Sequence, residues 1–191
     1  MKQLFEITDK TIIKEVLDNA QYGTLAICSN NKPYSLPINF VEREGAFYFH
    51  GSSKGRKIDI LKQNQWASFS VVEDYSLIQS YFSSTDGLAC PATHFFKSVI
   101  VDGQISFVDS YKEKVAALSA LMEKLQEEGK YKPLEQDIYK KSINATTVYR
   151  LTPDTIKAKF KFGQHLSRER FEMIIDHLKK RGSQKDWLNS H

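Results

Sequence analysis

The sequence predicts an α+β protein dominated by antiparallel strands, a split or closed β-barrel with flanking helices, on three observations. Six to seven segments carry the alternation or the β-branched and aromatic content of strands. Short turn signals join most of them. Helix-period segments fall at the ends and between strand pairs, not after every strand as a parallel doubly wound sheet requires.

Taken in order, Thr8 or Asp9 caps a first helix whose Ile13, Val16, Leu17 and Ala20 recur at helical spacing. Residues 22–28 read as a strand closed by Ser29-Asn30-Asn31-Lys32-Pro33, and residues 34–41 as a second closed by Glu42-Arg43-Glu44-Gly45. Residues 46–50 complete a meander in which the second strand pairs with the third. A helix opens near Gly55 with Ile58 and Leu61 on its apolar stripe. Residues 66–72 alternate Trp66, Ser68, Ser70 against Ala67, Phe69, Val71, a fourth strand. Residues 73–90 show neither period, and Ser83-Ser84-Thr85-Asp86-Gly87 marks a loop flexible enough to lie over a site. Strand character returns over 95–108 with a bulge or bend at Asp102-Gly103. Val115, Leu118, Leu121, Met122 and Leu125 mark one long helix ending near Gly129, followed by a Lys-rich connection. Residues 146–151 and 155–162 read as two strands joined at Thr152-Pro153-Asp154, and Phe171, Ile174, Ile175 and Leu178 form the apolar face of a last helix before Gly182.

At 191 residues, with 41% hydrophobic and 26% charged residues, the chain suits one ordinary globular domain, residues 167–191 forming a C-terminal helix and tail. No apolar stretch approaches the roughly 18 residues that span a bilayer, and Met1-Lys2-Gln3-Leu4-Phe5-Glu6 lacks the pattern of a secretory signal, so the expectation is a cytoplasmic protein without a membrane partner. A net charge of +4 is too mild to argue for nucleic acid. Residues 157–185 do hold nine Lys/Arg against three acids, but no nucleic-acid-binding module accompanies them. Cys28 and Cys90 make neither a Cys-x-x-Cys pair nor a disulfide framework.

The most informative segment is Phe47-Tyr48-Phe49-His50-Gly51-Ser52-Ser53-Lys54-Gly55-Arg56-Lys57-Ile58, a strand passing through a small-residue, basic turn into a helix. Free amides at a helix start, the hydroxyls of Ser52 and Ser53 and the side chains of Lys54, Arg56 and Lys57 converge there on a volume suited to a phosphate monoester. A capped, solvated turn is the plainer alternative. The glycine spacing excludes a Walker P-loop.

His50 ends that strand at the mouth of the basic turn, where an imidazole either meets a ligand or caps the strand. Asn39, in Pro37-Ile38-Asn39-Phe40, either approaches His50 across the meander or faces outward as a strand polar group. Lys157, Lys159 and Lys161 share one strand face, a solvated face or an anion-facing edge. The histidines at 50, 94, 165, 177 and 191 lack metal-ligand spacing, so no metal is expected.

Over nearly its whole length the chain resembles the pyridoxamine-phosphate oxidase-like flavoproteins, most closely the branch containing nitroimidazole-resistance nitroreductases. The resemblance is carried by Tyr22-Gly23-Thr24-Leu25-Ala26, Lys32-Pro33-Tyr34-Ser35-Leu36-Pro37-Ile38-Asn39-Phe40, Phe47-Tyr48-Phe49-His50-Gly51 and Gly55-Arg56-Lys57, in the family's order. Cys90-Pro91-Ala92-Thr93-His94-Phe95-Phe96-Lys97-Ser98-Val99 looks like its Cys-containing segment, and Lys159-Phe160-Lys161-Phe162-Gly163-Gln164 like its Lys-x-x-x-x-Gln-Asn element, with His165 in place of Asn.

The resemblance implies a split-barrel homodimer holding one FMN at each of two interface sites. Arg56 and Lys57 match the basic pair on the phosphate, with Ser52 or Ser53 and Gly51 beside it, and the strand holding Pro37, Ile38, Asn39 and Phe40 lines the isoalloxazine. His50 matches the histidine beside the flavin, while Ser98 and Gln164 match further positions near the cofactor, Gln164 from the partner subunit. The C-terminus lacks the Arg-x-His substrate element of the true oxidases, which argues against pyridoxamine-phosphate oxidation. The expected activity is an FMN-dependent oxidoreductase passing electrons to a small acceptor such as a nitroaromatic or quinone, with His50 as the catalytic residue that positions it. The alternative is a non-catalytic flavin- or haem-binding module for storage or sensing.

Overall fold

The computed structural model describes residues 2–182; Lys185, His191 and the rest of the expected tail lie outside the described residues. The elements are β1 (Glu6–Ile7), α1 (Lys10–Asn19), β2 (Tyr22–Ser29), β3 (Lys32–Asn39), β4 (Val41–Arg43), β5 (Ala46–Gly51), α2 (Arg56–Gln63), β6 (Trp66–Ile78), β7 (Thr93–Phe107), α3 (Tyr111–Leu125), α4 (Lys140–Ala145), β8 (Thr147–Lys161) and α5 (Arg168–Arg181). The strands hydrogen-bond in the order β3-β2-β6-β7-β8-β5-β4, with β1 added against β8. The fold is therefore the antiparallel, mainly β class that the sequence predicts, a split barrel with flanking helices. No helix among the described residues is long and apolar enough to cross a membrane.

Two compact units share this chain. The larger comprises Lys10–Val71 and Val99–Lys157. Its outermost strands in the hydrogen-bonding order are β3 and β4, joined in sequence by Phe40 alone. A sheet whose two edges are linked by one residue has to curl until those edges meet, which is how this unit closes. Phe40 is fully buried at that junction, its ring 4.8 Å from Phe69 and 6.2 Å from Phe47, while Phe49 packs on Phe69 at 5.0 Å. α3 covers the barrel through Ala117 and Leu121 against Val41, Tyr48, Val108 and Val148. Ser110 caps α3 by accepting from the Glu113 amide. Lys124 at its end donates to the Leu17 carbonyl at the end of α1 (2.7 Å), with its ammonium 3.7 Å from the Phe40 ring centroid. Burial lowers its pKa to about 8.

The smaller unit comprises the described residues of 1–9, 72–98 and 158–191. Ile174 and Leu178 of α5 pack on Ile78, Phe82 and Phe95. Arg181 closes that helix end onto β6, donating to the Leu77 carbonyl (2.8 Å) and the Ser76 hydroxyl (2.7 Å).

Five local expectations are corrected. Residues 34–41 are not one strand, and β3 pairs with β2, not with β5. The consecutive buried residues Phe40 and Val41 break the two-residue alternation, so the chain leaves one edge at Phe40 and rejoins the sheet at the other as β4. Much of the loop expected over 73–90 is strand as far as Ile78, followed by a turn of 3₁₀ helix (Ser80–Phe82). The Lys-rich connection after α3 contains α4, held by Ile143 against Val115 and Leu134. β8 runs unbroken through Thr152-Pro153-Asp154 as one strand, not two. Gly103 of β7 lies against this stretch: a Cβ on it would stand 2.1 Å from the Thr152 carbonyl oxygen. The missing side chain gives the β8 backbone room to approach β7 at this point.

Candidate functional site

The basic turn lies entirely in the larger unit. β5 delivers it by pairing with β8, His50 opposite Val148 and Gly51 opposite Thr147. Beyond Gly51 the chain leaves the sheet, and the Tyr149 hydroxyl donates to the Ser52 carbonyl at 2.6 Å. The Ser52 hydroxyl accepts from the Lys54 amide (3.1 Å), tightening the turn. Gly55 then begins α2 at φ 104°, a value that glycine alone adopts without strain, and provides no side-chain cap. Its carbonyl accepts from Ile58 and Asp59, which leaves the Arg56 and Lys57 amides at the open, electropositive end of the helix.

Two aromatic rings hold the cations. The Arg56 guanidinium lies 4.4 Å from the Tyr34 ring centroid, and the Lys57 ammonium 4.4 Å from that of Tyr149. A Cβ on Gly51 would stand 2.7 Å from the Lys57 nitrogen, so the ammonium occupies the space that a side chain at position 51 would fill. Burial lowers the Lys57 pKa. Among the described residues neither Lys54, Arg56 nor Lys57 has a carboxylate within salt-bridge distance. Partial desolvation and, secondarily, the Lys57 charge lower the pKa of His50, so its imidazole is neutral at pH 7. Tyr149 is pushed up to about 12 by burial and remains a phenol donor.

His50, Gly51, Ser52, Ser53, Arg56 and Lys57 therefore form one local cluster. The other expected residues sit differently. Pro37 and Asn39 face outward on β3, opposite Thr24 and Tyr22, and the Asn39 amide donates to the Gln21 carbonyl (2.9 Å). Asn39 and His50 are not cross-strand neighbours, because β3 and β5 do not pair. Ile38 lies half-buried on the inner face, and Phe40 is core. In the smaller unit, the buried Ser98 hydroxyl reaches the Lys159 carbonyl at 3.5 Å. Gln164 closes on its own backbone, donating to Phe160 O (2.9 Å) and accepting from Phe162 N (2.8 Å). Lys159 lies over the rings of Phe5 and Phe96, and Lys161 donates to the Thr93 hydroxyl. Cys28 and Cys90 are free thiols, and no cluster of metal-ligating side chains occurs among the described residues.

Sequence reasoning missed Tyr34 and Tyr149. Tyr149 lies about a hundred residues from the turn that it grips. Only the strand pairing brings it there, and an aromatic residue in a strand carries no local mark of such a contact.

Comparison with solved structures places this fold among known ones. Flavocytochrome Anf3 from Azotobacter vinelandii is 23% identical, with 90% of this chain and 77% of that one covered and a TM-score of 0.70. A protein from Bacteroides thetaiotaomicron assigned to 5-nitroimidazole antibiotic resistance is 21% identical over 81% of this chain and 85% of its own, with a TM-score of 0.66. An FAD- and haem-binding protein from Mycobacterium smegmatis is 19% identical over 82% and 73%, also at 0.66. A search of the curated proteins finds no match. The family model described as pyridoxamine 5'-phosphate oxidase matches residues 9–160. With that match running from α1 to the end of β8, the chain belongs to the pyridoxamine 5'-phosphate oxidase family.

Proposed function

We propose that this chain is a cytoplasmic FMN-dependent oxidoreductase that works as a homodimer and passes electrons to a small acceptor, a nitroaromatic or a quinone. The observation that carries the reading is Lys57: a half-buried ammonium seated in the space that Gly51 leaves open, beside Arg56 at the uncapped start of α2, neither with a carboxylate in salt-bridge distance among the described residues. A phosphate dianion supplies what these groups lack. In this reading Arg56, Lys57, Ser52 and Ser53 hold the phosphate, Pro37, Ile38, Asn39 and Phe40 border the ring, and Ser98 and Gln164 complete the site, Gln164 from the partner subunit.

The bound flavin would supply two-electron redox chemistry. The protein's contribution is orientation. A neutral His50 imidazole donates a hydrogen bond to a nitro or carbonyl oxygen of the acceptor without adding a second cation beside Lys57. Dimerisation is supported by the outward face of β2 in the larger unit, where Tyr22 is 65% exposed.

Purified protein with a flavin absorbance spectrum, binding FMN more tightly than riboflavin and reoxidised by a nitroaromatic or quinone after anaerobic reduction, is the expected result. Colourless protein that binds no FMN would sink the proposal. Because the neighbours described above include a flavocytochrome and a haem-binding protein, the same spectrum tests the second reading. A Soret band without flavin absorbance would favour a haem-holding module.

A further inference from the structure

We propose that a cavity in the larger unit, between the start of β6, the end of β7 and the middle of β8, binds a neutral planar ring carrying a carbonyl beside an N–H, the edge of a cyclic amide or imide such as uracil. The cavity has a volume of about 390 Å³ and is lined by Gln65, Trp66, Gln104, Ser106, Arg150 and Asp154, among others. It is separate from the basic turn. Tyr149, which grips that turn, and Arg150, which lines this cavity, are successive residues of β8 and point to opposite faces of the sheet.

Two buried donors point to a ligand. Among the described residues, the Ser106 hydroxyl and the Arg150 Nε–H are buried without a hydrogen-bond partner, and both residues line this one cavity. Folded proteins rarely leave such groups unmet, because an orphaned buried donor loses its water with nothing to offset the loss. A ligand acceptor that reaches either group would satisfy it. The Arg150 charge is already balanced, since its Nη1 donates to Glu113 at 3.0 Å and Tyr48 donates to the same carboxylate oxygen at 3.0 Å. An anion would therefore meet no free positive charge, and the exposed Asp154 would repel it. A neutral carbonyl meets no such penalty, and an adjacent N–H finds acceptors in Asp154 and the amides of Gln65 and Gln104. Half-exposed Trp66 supplies a flat face for stacking.

The test is a titration with uracil, and with benzoate as an anionic planar comparator, read by tryptophan fluorescence and by thermal shift, with and without saturating FMN. Uracil is expected to quench emission saturably and raise the melting temperature, with FMN changing neither. Trp66→Phe should remove most of the quenching and keep a thermal shift, the remaining emission coming from Trp187. Ser106→Ala should weaken uracil binding roughly three- to tenfold while the free protein melts no lower than the parent. Gln104→Ala gives an independent check through the same readouts. No response to uracil up to about 10 mM, equal affinity in Ser106→Ala, preference for benzoate, or competition by FMN would each overturn the proposal. So would Trp66 emission that follows protein concentration and ignores the probe, since a second copy of the chain would then be filling the cavity.

Discussion

Gly51 and Lys57 are fitted to one another: any side chain at position 51 would begin 2.7 Å from the Lys57 nitrogen. The strand end therefore sets where the helix's second cation can sit. Gly51→Ala should push the ammonium aside at little cost to stability, because a lysine end group moves easily. FMN affinity should fall about tenfold with riboflavin affinity unchanged, as read by fluorescence titration of both flavins.

Arg56→Ala combined with Lys57→Ala should leave the fold intact, since Arg56 is exposed and Lys57 half-buried at a polar helix start. Each charge-assisted contact to phosphate is worth roughly 1.5–3 kcal/mol, so losing two should weaken FMN by roughly two to four orders of magnitude. Riboflavin should bind parent and variant alike. An unchanged FMN constant, measured by the same titration, would place the phosphate elsewhere.

The pH dependence follows from Lys57. Burial lowers its pKa below 10.5, whereas a bound phosphate favours the protonated form and raises it again. FMN affinity should therefore be constant at neutral pH and fall as pH rises through the lowered pKa of the free protein. Lys57→Arg keeps its charge throughout, so its affinity should stay flat over the same alkaline range. Binding constants measured from pH 7 to about 10 compare the two.

His50 gives a stability signature of its own. Its folded pKa lies below the usual 6.5, so between the two values the unfolded chain binds more protons than the native one. The parent should accordingly lose stability relative to His50→Asn as pH falls through the window below 6.5, and keep a constant difference above it. Denaturant titrations at several pH values read this directly. A difference that does not vary with pH would mean that His50 is fully solvated.

Tyr149→Phe removes the 2.6 Å hydrogen bond to the Ser52 carbonyl and keeps the ring beneath Lys57. A loss of about 1 kcal/mol in stability is expected. FMN affinity should fall several-fold as the turn loosens, with thermal melting and FMN titration reporting the two effects separately.

The sequence by itself determined the strand-rich class, because alternation and turn chemistry are local. Asn30-Asn31 and Glu44-Gly45 take up the positive φ values of tight hairpin turns, and α1, α2 and α5 begin within a few residues of where their apolar periods start. It also determined the run from His50 to Lys57, since the strand, the turn and the helix start are contiguous. Tertiary structure decided what no local period encodes. Phe40 reads as one more strand residue, yet it is the link through which the two sheet edges meet, a consequence of barrel closure. Thr152-Pro153-Asp154 reads as a break, yet β8 is continuous there, with Gly103 of β7 packed against Thr152 and Pro153. Tyr34 and Tyr149 became partners of Arg56 and Lys57 through strand order and packing, and the unmet donors of Ser106 and Arg150 exist only once β7 and β8 lie side by side. A side chain's local sequence fixes its face, and the order in which strands pair fixes its neighbours.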